Sequence, residues 1–374
     1  MRTSGRGHRQ EKIETHMAKV LSEKSDVLSV DETLRRMREK LAKVVPDVEL
    51  PLKAELAHEI NRLKVERNAV ILGHNYMEPA LYHFVTDFTG DSLELSRSST
   101  ETDADIIVFC GVQFMAETAK VLNPGKMVLL PSDKAGCSLA AGITAEDVRQ
   151  LKRDYPGVPV VTYVNTYAEV KAESDYCCTS GTGATVAQYL FDQGHNHIIF
   201  LPDEYLGRNI ANELGVNFIL PGFLRGQRTE VGPERTLIGW RARCEVHELF
   251  NVEDIRAVRK QYPEVVVVAH PECSPEVIAE SDIAGSTKQM IQAVQEMDAP
   301  KFLLLTECSM GDNIVAESPD KDMLRLCSFR CPHMNTITME DTLEALEKLQ
   351  YQIELPDDII ERARIPIDRM LEIH

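Results

Sequence analysis

The chain has 374 residues, 43% of them hydrophobic, and a formal net charge of −18. That length suffices for two or three domains with a packed core, and the acidic balance excludes bulk attraction to nucleic acid or an anionic membrane while leaving room for a local anion pocket. No apolar run reaches the roughly 18 residues of a membrane-spanning helix, and nine cysteines in a chain without a secretory signal point to metal ligands, catalytic thiols or core packing before disulfides.

The opening, MRTSGRGHRQEKIETHMAKV, is basic but carries no apolar stretch. It reads as a flexible leader, with a charged helix around 30–44 completing a segment 1–45, and the expected compartment is the cytosol. NAVILGHNY, from Asn68, is a short apolar run ending abruptly in polar groups, as a buried parallel strand does. ADIIVFCGVQF reads as a second strand running into a helix start, and KMVLLPSD as a third. A lone cysteine, Cys137, follows in KAGCSLAAGI, and seven residues later the helix TAEDVRQLKRDYP opens at Thr144. The series then begins again with VPVVTYVN, SDYCCTSGTG and HIIFLPDE, then Cys244 in RARCEVHELF, then NVEDIRAVRKQYP from Asn251. It runs a third time through EVVVVAHPE, SDIAGSTKQM and KFLLLTEC to Cys331 in FRCPHMN, with the helix TMEDTLEALEKL after it.

The offsets make this a repeat. Cys137 to Cys244, Thr144 to Asn251 and Asp175 to Asp282 are each 107 residues apart. Cys244 to Cys331 and Asp254 to Asp341 are each 87. The pattern C-x6-[T/N]-x-E-D therefore occurs three times; Thr or Asn suits a helix N-cap and the acidic pair suits the positive end of the helix dipole. Short apolar strands alternating with amphipathic helices predict an α/β fold of three pseudo-symmetric α/β/α sandwich domains with short parallel sheets around a central cleft. The expected domains are 46–143, 144–250 and 251–337, with a helical segment, 338–374, returning to the core.

Ligands in such sheets bind beyond the carboxyl ends of the strands. Those ends carry His74 and Tyr76, Tyr163 and Asn165, then His270 and Glu272, at equivalent repeat positions. A cyclic arrangement points all six into one cleft and gathers Cys137, Cys244 and Cys331 into a ring. The repeat separates these cysteines from the rest: 107 residues beyond Cys177 stands Ala284, and 107 before Cys273 stands Thr166. Three thiolates suit an iron–sulfur cluster with one iron free of protein ligands, or a three-cysteine zinc site with an open position. Ser180, Ser286 and Thr287 lie at strand-to-helix turns, where backbone amides and hydroxyls can seat an anion. Taken singly each is an ordinary helix cap, and His74 or His270 alone an ordinary buried histidine; convergence on one cleft favours a binding or acid–base role. Glu272 is the expected general base. Ser92 in TGDS and His247, three residues after Cys244, join the candidate set, His247 as substrate contact or as support for the metal. Arg208, Arg325 and Arg330 read as solvated cations before anion ligands, and Cys327 as a core thiol near Cys331.

Assembled, the stretches VILGHNYMEPALYHFVTDFTGDSLELS, FCGVQFMAETAK, AGCSLA, TYVN, FLPDEYLGRN, CEVHE, HPEC, GSTK and CPHMNTI resemble the quinolinate synthase family over nearly the whole chain beyond the leader. The resemblance implies a transferase of de novo NAD biosynthesis that condenses iminoaspartate with dihydroxyacetone phosphate to quinolinate, losing phosphate and water. It implies one [4Fe–4S] cluster per chain on Cys137, Cys244 and Cys331 with one open iron acting as Lewis acid. It also implies a substrate cleft lined by His74, Tyr76, Ser92, Tyr163, Asn165, Ser180, His270, Glu272, Ser286 and Thr287, and functional coupling to L-aspartate oxidase. The chain departs from compact members in the stretch GVNFILPGFLRGQRTEVGPERT, read as an inserted loop, and in having C-x3-C where some relatives have C-x-x-C-x-x-C.

Overall fold

The computed structural model describes residues 27–222, 229–326 and 329–373. The leader thus lies outside the described residues up to position 26, as does Cys327. The helix Val30–Leu41 begins where the charged pattern predicts, capped by Ser29.

Three sheets are built from parallel pairs of short strands. The first contains β1 (Ala69–His74), β2 (Phe88–Gly90), β3 (Ile106–Cys110) and β4 (Met127–Leu129), in the order β2-β1-β3-β4. The second contains β5 (Val160–Tyr163), β6 (Tyr176–Cys178), β7 (His197–Leu201), β8 (Asn217–Ile219) and β9 (Thr236–Ile238), in the order β6-β5-β7-β9-β8. The third contains β10 (Val266–Ala269), β11 (Ile283–Ala284), β12 (Lys301–Leu305) and β13 (Asp322–Arg325), in the order β11-β10-β12-β13. One strand order is therefore written three times, and β8 is an extra edge strand on the second copy. The central strands are buried throughout or nearly so, since helices cover both faces of each sheet.

The topology corrects two sequence expectations. ADIIVFC is not the counterpart of SDYCC and SDIAG; it is β3, equivalent to β7 and β12, and KMVLL is the fourth strand. The true second strand of the first copy is the three-residue β2, too short and too polar to show as an apolar run. The stretch read as an inserted loop is partly strand, because Asn217–Ile219 pairs with β9.

The three cysteine-linked helices form as their caps predict. Thr144, Asn251 and Thr338 each accept a hydrogen bond from the backbone N–H three residues on, starting the helices Ala145–Asp154, Val252–Gln261 and Met339–Lys348. The first two of these follow Cys137 and Cys244 into the second and third sheets' layers. The last returns to the first: it packs against the helix Leu50–Glu66 and β3. Behind it, Gln352 bridges Leu129 antiparallel, Leu130 N–H donates to the Tyr351 carbonyl, and Ile353 N–H donates to that of Val128. The final helix, Asp357–Glu372, buries Ala363, Ile367 and Met370 against β6 and the helices Gln113–Leu122 and Ala168–Lys171. The chain end thus closes the ring that the repeat begins.

Candidate active site

The carboxyl ends of β1, β5 and β10 face one cavity, and each delivers two residues to its wall: His74 and Tyr76, Tyr163 and Asn165, His270 and Glu272. Cys137, Cys244 and Cys331 line the same cavity from three loops. So do Ser92, Ser180 and Thr287, from the turns that follow β2, β6 and β11. Ser286 is outside this lining: it caps the helix Thr287–Glu296, its hydroxyl accepting the Gln289 N–H at 3.4 Å. Asp91 and Ser92 in the first copy correspond to Ser286 and Thr287 in the third, an N-cap followed by the first helical residue.

Glu272 is the hub of the polar wall. It is buried, and its carboxylate receives His247 Nδ1 at 2.6 Å, Asn165 Nδ2 at 3.1 Å and the Tyr163 hydroxyl. Burial works against its charge, yet the imidazoles of His270 and His247 and the hydrogen bonds from His247 and Tyr163 hold its carboxyl below the usual range. Asn165 Oδ1, on the other side of the same amide, has no partner among the described residues. That buried acceptor, on a residue of the cavity lining, is therefore open to a ligand donor.

His74 and His270 are positioned alike. The Nδ1 of each accepts the backbone N–H two residues on, from Tyr76 at 3.2 Å and Glu272 at 3.4 Å, which leaves the ring proton on Nε2. Nε2 of His270 lies 3.2 Å from Ser180 Oγ. Burial pushes both imidazoles down to about 3, so they are neutral donors at neutral pH. Burial likewise pushes the hydroxyls of Tyr76 and Tyr163 well above their ordinary value, keeping both protonated. Among the described residues, neither lysine nor arginine appears in the cavity lining. Arg208 instead pairs with Glu204 at 2.9 Å, and Arg325 with Asp312.

The sulfur donors overlap a second possible metal set. Cys244, His247 and Glu272 offer ligand atoms within 4.8 Å of one another. His247 Nδ1 is 3.2 Å from Cys244 Sγ and also bound to Glu272, so His247 both touches a thiol and faces the cavity. Cys137, Cys244 and Cys331 are free thiols, partly exposed to the cavity, and burial pushes Cys137 up to about 12 and Cys331 up to about 11. Three such thiols facing one space are costly as bare thiolates and become good ligands only against a soft cation. Cys177 and Cys178, by contrast, are fully buried in β6.

Sequence reasoning passed over Asp91, Thr179 and Glu307 in the lining and Thr306 beside it. Asp91 was available from the G-[D/S]-[S/T] match between TGDS and AGST. Thr306 and Glu307 follow an apolar strand, where one polar pair looks like any other.

A family model described as quinolinate synthetase A protein matches residues 58–372. Among curated relatives, a quinolinate synthase 2 of Mesorhizobium japonicum is 47% identical over 335 residues, 90% of this chain and 96% of the relative. A quinolinate synthase of Agrobacterium fabrum is 46% identical over 90% of each chain. Another from Xylella fastidiosa is 48% identical over 84% of this chain and 86% of its own length.

Proposed function

The chain belongs to the quinolinate synthetase A family, and on that premise we propose that its cavity condenses iminoaspartate with dihydroxyacetone phosphate to quinolinate, releasing phosphate and two waters. The observation that carries this reading is the meeting of three thiols, one from each repeat, with a buried carboxylate and two pairs of neutral donors on one wall. Both substrates are anions. Hydroxyls and amides at helix starts are placed to hold that charge, chiefly at Ser92 and Thr287, each the first residue of a ten-residue helix.

Cys137, Cys244 and Cys331 fit a [4Fe–4S] cluster, which when bound supplies an iron with an open position as Lewis acid for a departing or polarised oxygen. The rest is work for side chains. Glu272 is ionised and sits where it can take a carbon-bound proton. Tyr76 and Tyr163 are both protonated; their protons rest on Thr306 and Glu272 and can turn to substrate oxygens that gain charge. His74 and His270 present Nε2–H for orientation. Asn165 holds Glu272 with its amine and offers Oδ1 to a substrate N–H or O–H. Supply of iminoaspartate, which hydrolyses in water, by an L-aspartate oxidase would complete the route. No described helix is long and apolar enough to cross a membrane.

The test is product formation. Protein prepared anaerobically and loaded with iron and sulfide, given dihydroxyacetone phosphate and iminoaspartate formed from oxaloacetate and ammonia, should release quinolinate. Absence of quinolinate from fully loaded protein rejects the reading.

A further inference from the structure

We propose that Thr306 is a positioning residue whose single hydroxyl ties the Tyr76 phenol to the His247 imidazole and so aims both into the cavity; this deepens the quinolinate-forming reading and rests on it. Thr306 follows β12 and is 2% exposed. Its Oγ1 lies 2.6 Å from the Tyr76 hydroxyl and 2.9 Å from His247 Nε2. His247 Nδ1 in turn lies 2.6 Å from Glu272. Thr306 is therefore the junction between two residues expected to act on substrate, Tyr76 and Glu272, which lie on different repeats.

The hydrogen-bonding capacity of each group orders the chain. The Glu272 carboxylate only accepts, so an imidazole bearing one proton carries it on Nδ1 and accepts at Nε2. Thr306 must then donate to Nε2. Its one proton spent, it accepts from Tyr76. Without this hydroxyl, Nε2 is an unpaired buried acceptor and the phenol loses the bond that fixes its direction. The main chain around Tyr76 does not depend on Thr306. Asn313 Nδ2 donates to the carbonyls of Asn75 at 3.1 Å and Met77 at 2.9 Å, clamping the backbone on both sides of Tyr76. Asn75 Nδ2 also donates to Thr287 Oγ1 at 2.9 Å. Loss of the Thr306 hydroxyl should thus free two rings without moving the turn that carries them.

The experiment compares Thr306→Val, which keeps the shape, with Thr306→Ser, which keeps the hydroxyl, in the iron-loaded enzyme. A misaimed ring costs on the order of 10- to 100-fold in kcat. We expect that loss in Thr306→Val, with KM within about 3-fold and iron and sulfide content unchanged, and recovery to within about 3-fold of wild type in Thr306→Ser. Adding Thr306→Val to Tyr76→Phe should cost less than Thr306→Val costs alone, because the Tyr76–Thr306 bond is already gone and only the His247 bond remains to be lost. Independently of turnover, a crystal structure of Thr306→Val should show the Tyr76 or His247 ring turned by more than about 30°. The assignment is overturned by a Val variant as fast as wild type, by a Ser variant as slow as Val, by fully multiplicative losses, by loss of iron, or by unmoved rings. A wild-type protein that makes no quinolinate would instead sink the function above, and the ring positions would still judge Thr306.

Discussion

Replacing Glu272 by glutamine tests the acid–base assignment with little change of shape. The carboxylate now receives three donors: His247 Nδ1, Asn165 Nδ2 and the Tyr163 hydroxyl. Glutamine keeps one acceptor oxygen and turns the other position into a donor. If that oxygen stays on His247, the new amine faces the Asn165 amine. Asn165 can flip and present Oδ1, the atom that now has no partner. One buried donor clash, at about 1–3 kcal/mol, is thereby avoided, and a folding loss under about 1.5 kcal/mol is expected, the worth of a weakened hydrogen bond. The catalytic effect should be far larger. Removal of a positioned general base costs about 10²- to 10⁴-fold, or about 3–5 kcal/mol of barrier. The assay is anaerobic quinolinate formation beside iron content and thermal midpoint. A loaded, folded Glu272→Gln protein retaining more than about a tenth of wild-type kcat would refute the assignment, and one that loses its iron would move Glu272 from base to ligand.

Two further outcomes follow from the geometry. Single alanine replacements of Cys137, Cys244 or Cys331 should each abolish stable iron and sulfide loading, whereas Cys177→Ala, in the sealed core of β6, should leave loading intact and cost folding stability of about 1–3 kcal/mol, on the scale of a small cavity; iron lost from Cys177→Ala but kept in Cys244→Ala would overturn the ligand set. Lys171 is fully buried, its ammonium donating to the Thr166 carbonyl, and burial lowers it to about 8. The unfolded chain binds that proton more tightly, so wild-type stability should rise relative to Lys171→Met between about pH 8 and 10.5, by at most about 3 kcal/mol; denaturant unfolding of both proteins at the two ends of that window measures it, and a flat difference contradicts the burial penalty.

Much of this site was legible because duplication preserves spacing. Three cysteines seven residues before three capped helices, and three pairs of polar residues ending three apolar strands, are features a repeat amplifies until chance is an inadequate account of them. What was hidden had no such amplification. β2 is three residues of Phe-Thr-Gly beside an aspartate cap, and its apolar content is too small to separate it from a turn. That omission shifted the strand matching of the first copy by one and concealed the kinship of Asp91–Ser92 with Ser286–Thr287. β8 was hidden because an edge strand of three half-exposed residues lacks both periodicity and burial. Thr306 was hidden for a different reason: its role is defined by Tyr76 and His247, 230 and 59 residues away, and nothing local to LLLTEC encodes either distance.

The three repeats also explain why the chemistry needs a closed ring. Each copy contributes one cavity cysteine and one strand-end pair, so no copy alone holds a three-thiol set or surrounds Glu272 with its donors. Glu272 comes from the third copy and Asn165 and Tyr163 from the second, while His247 arrives on the link between them. Tyr76 comes from the first and is held by Thr306 and Asn313 of the third. Contacts between the first and third copies therefore decide whether Tyr76 faces Glu272 at all. Those contacts join segments more than 200 residues apart, and a loop of that length carries a closure entropy that local packing must offset. Direct ties supply part of that packing: Asn75 Nδ2 donates to Thr287 Oγ1, Asn313 Nδ2 donates to the carbonyls of Asn75 and Met77, and the helix Cys308–Glu317 lies against Pro79–Phe84. The C-terminal segment instead anchors the chain beyond the third copy on the other two: Met339–Lys348 packs on Leu50–Glu66 and β3, and Asp357–Glu372 packs on Gln113–Leu122, Ala168–Lys171 and β6.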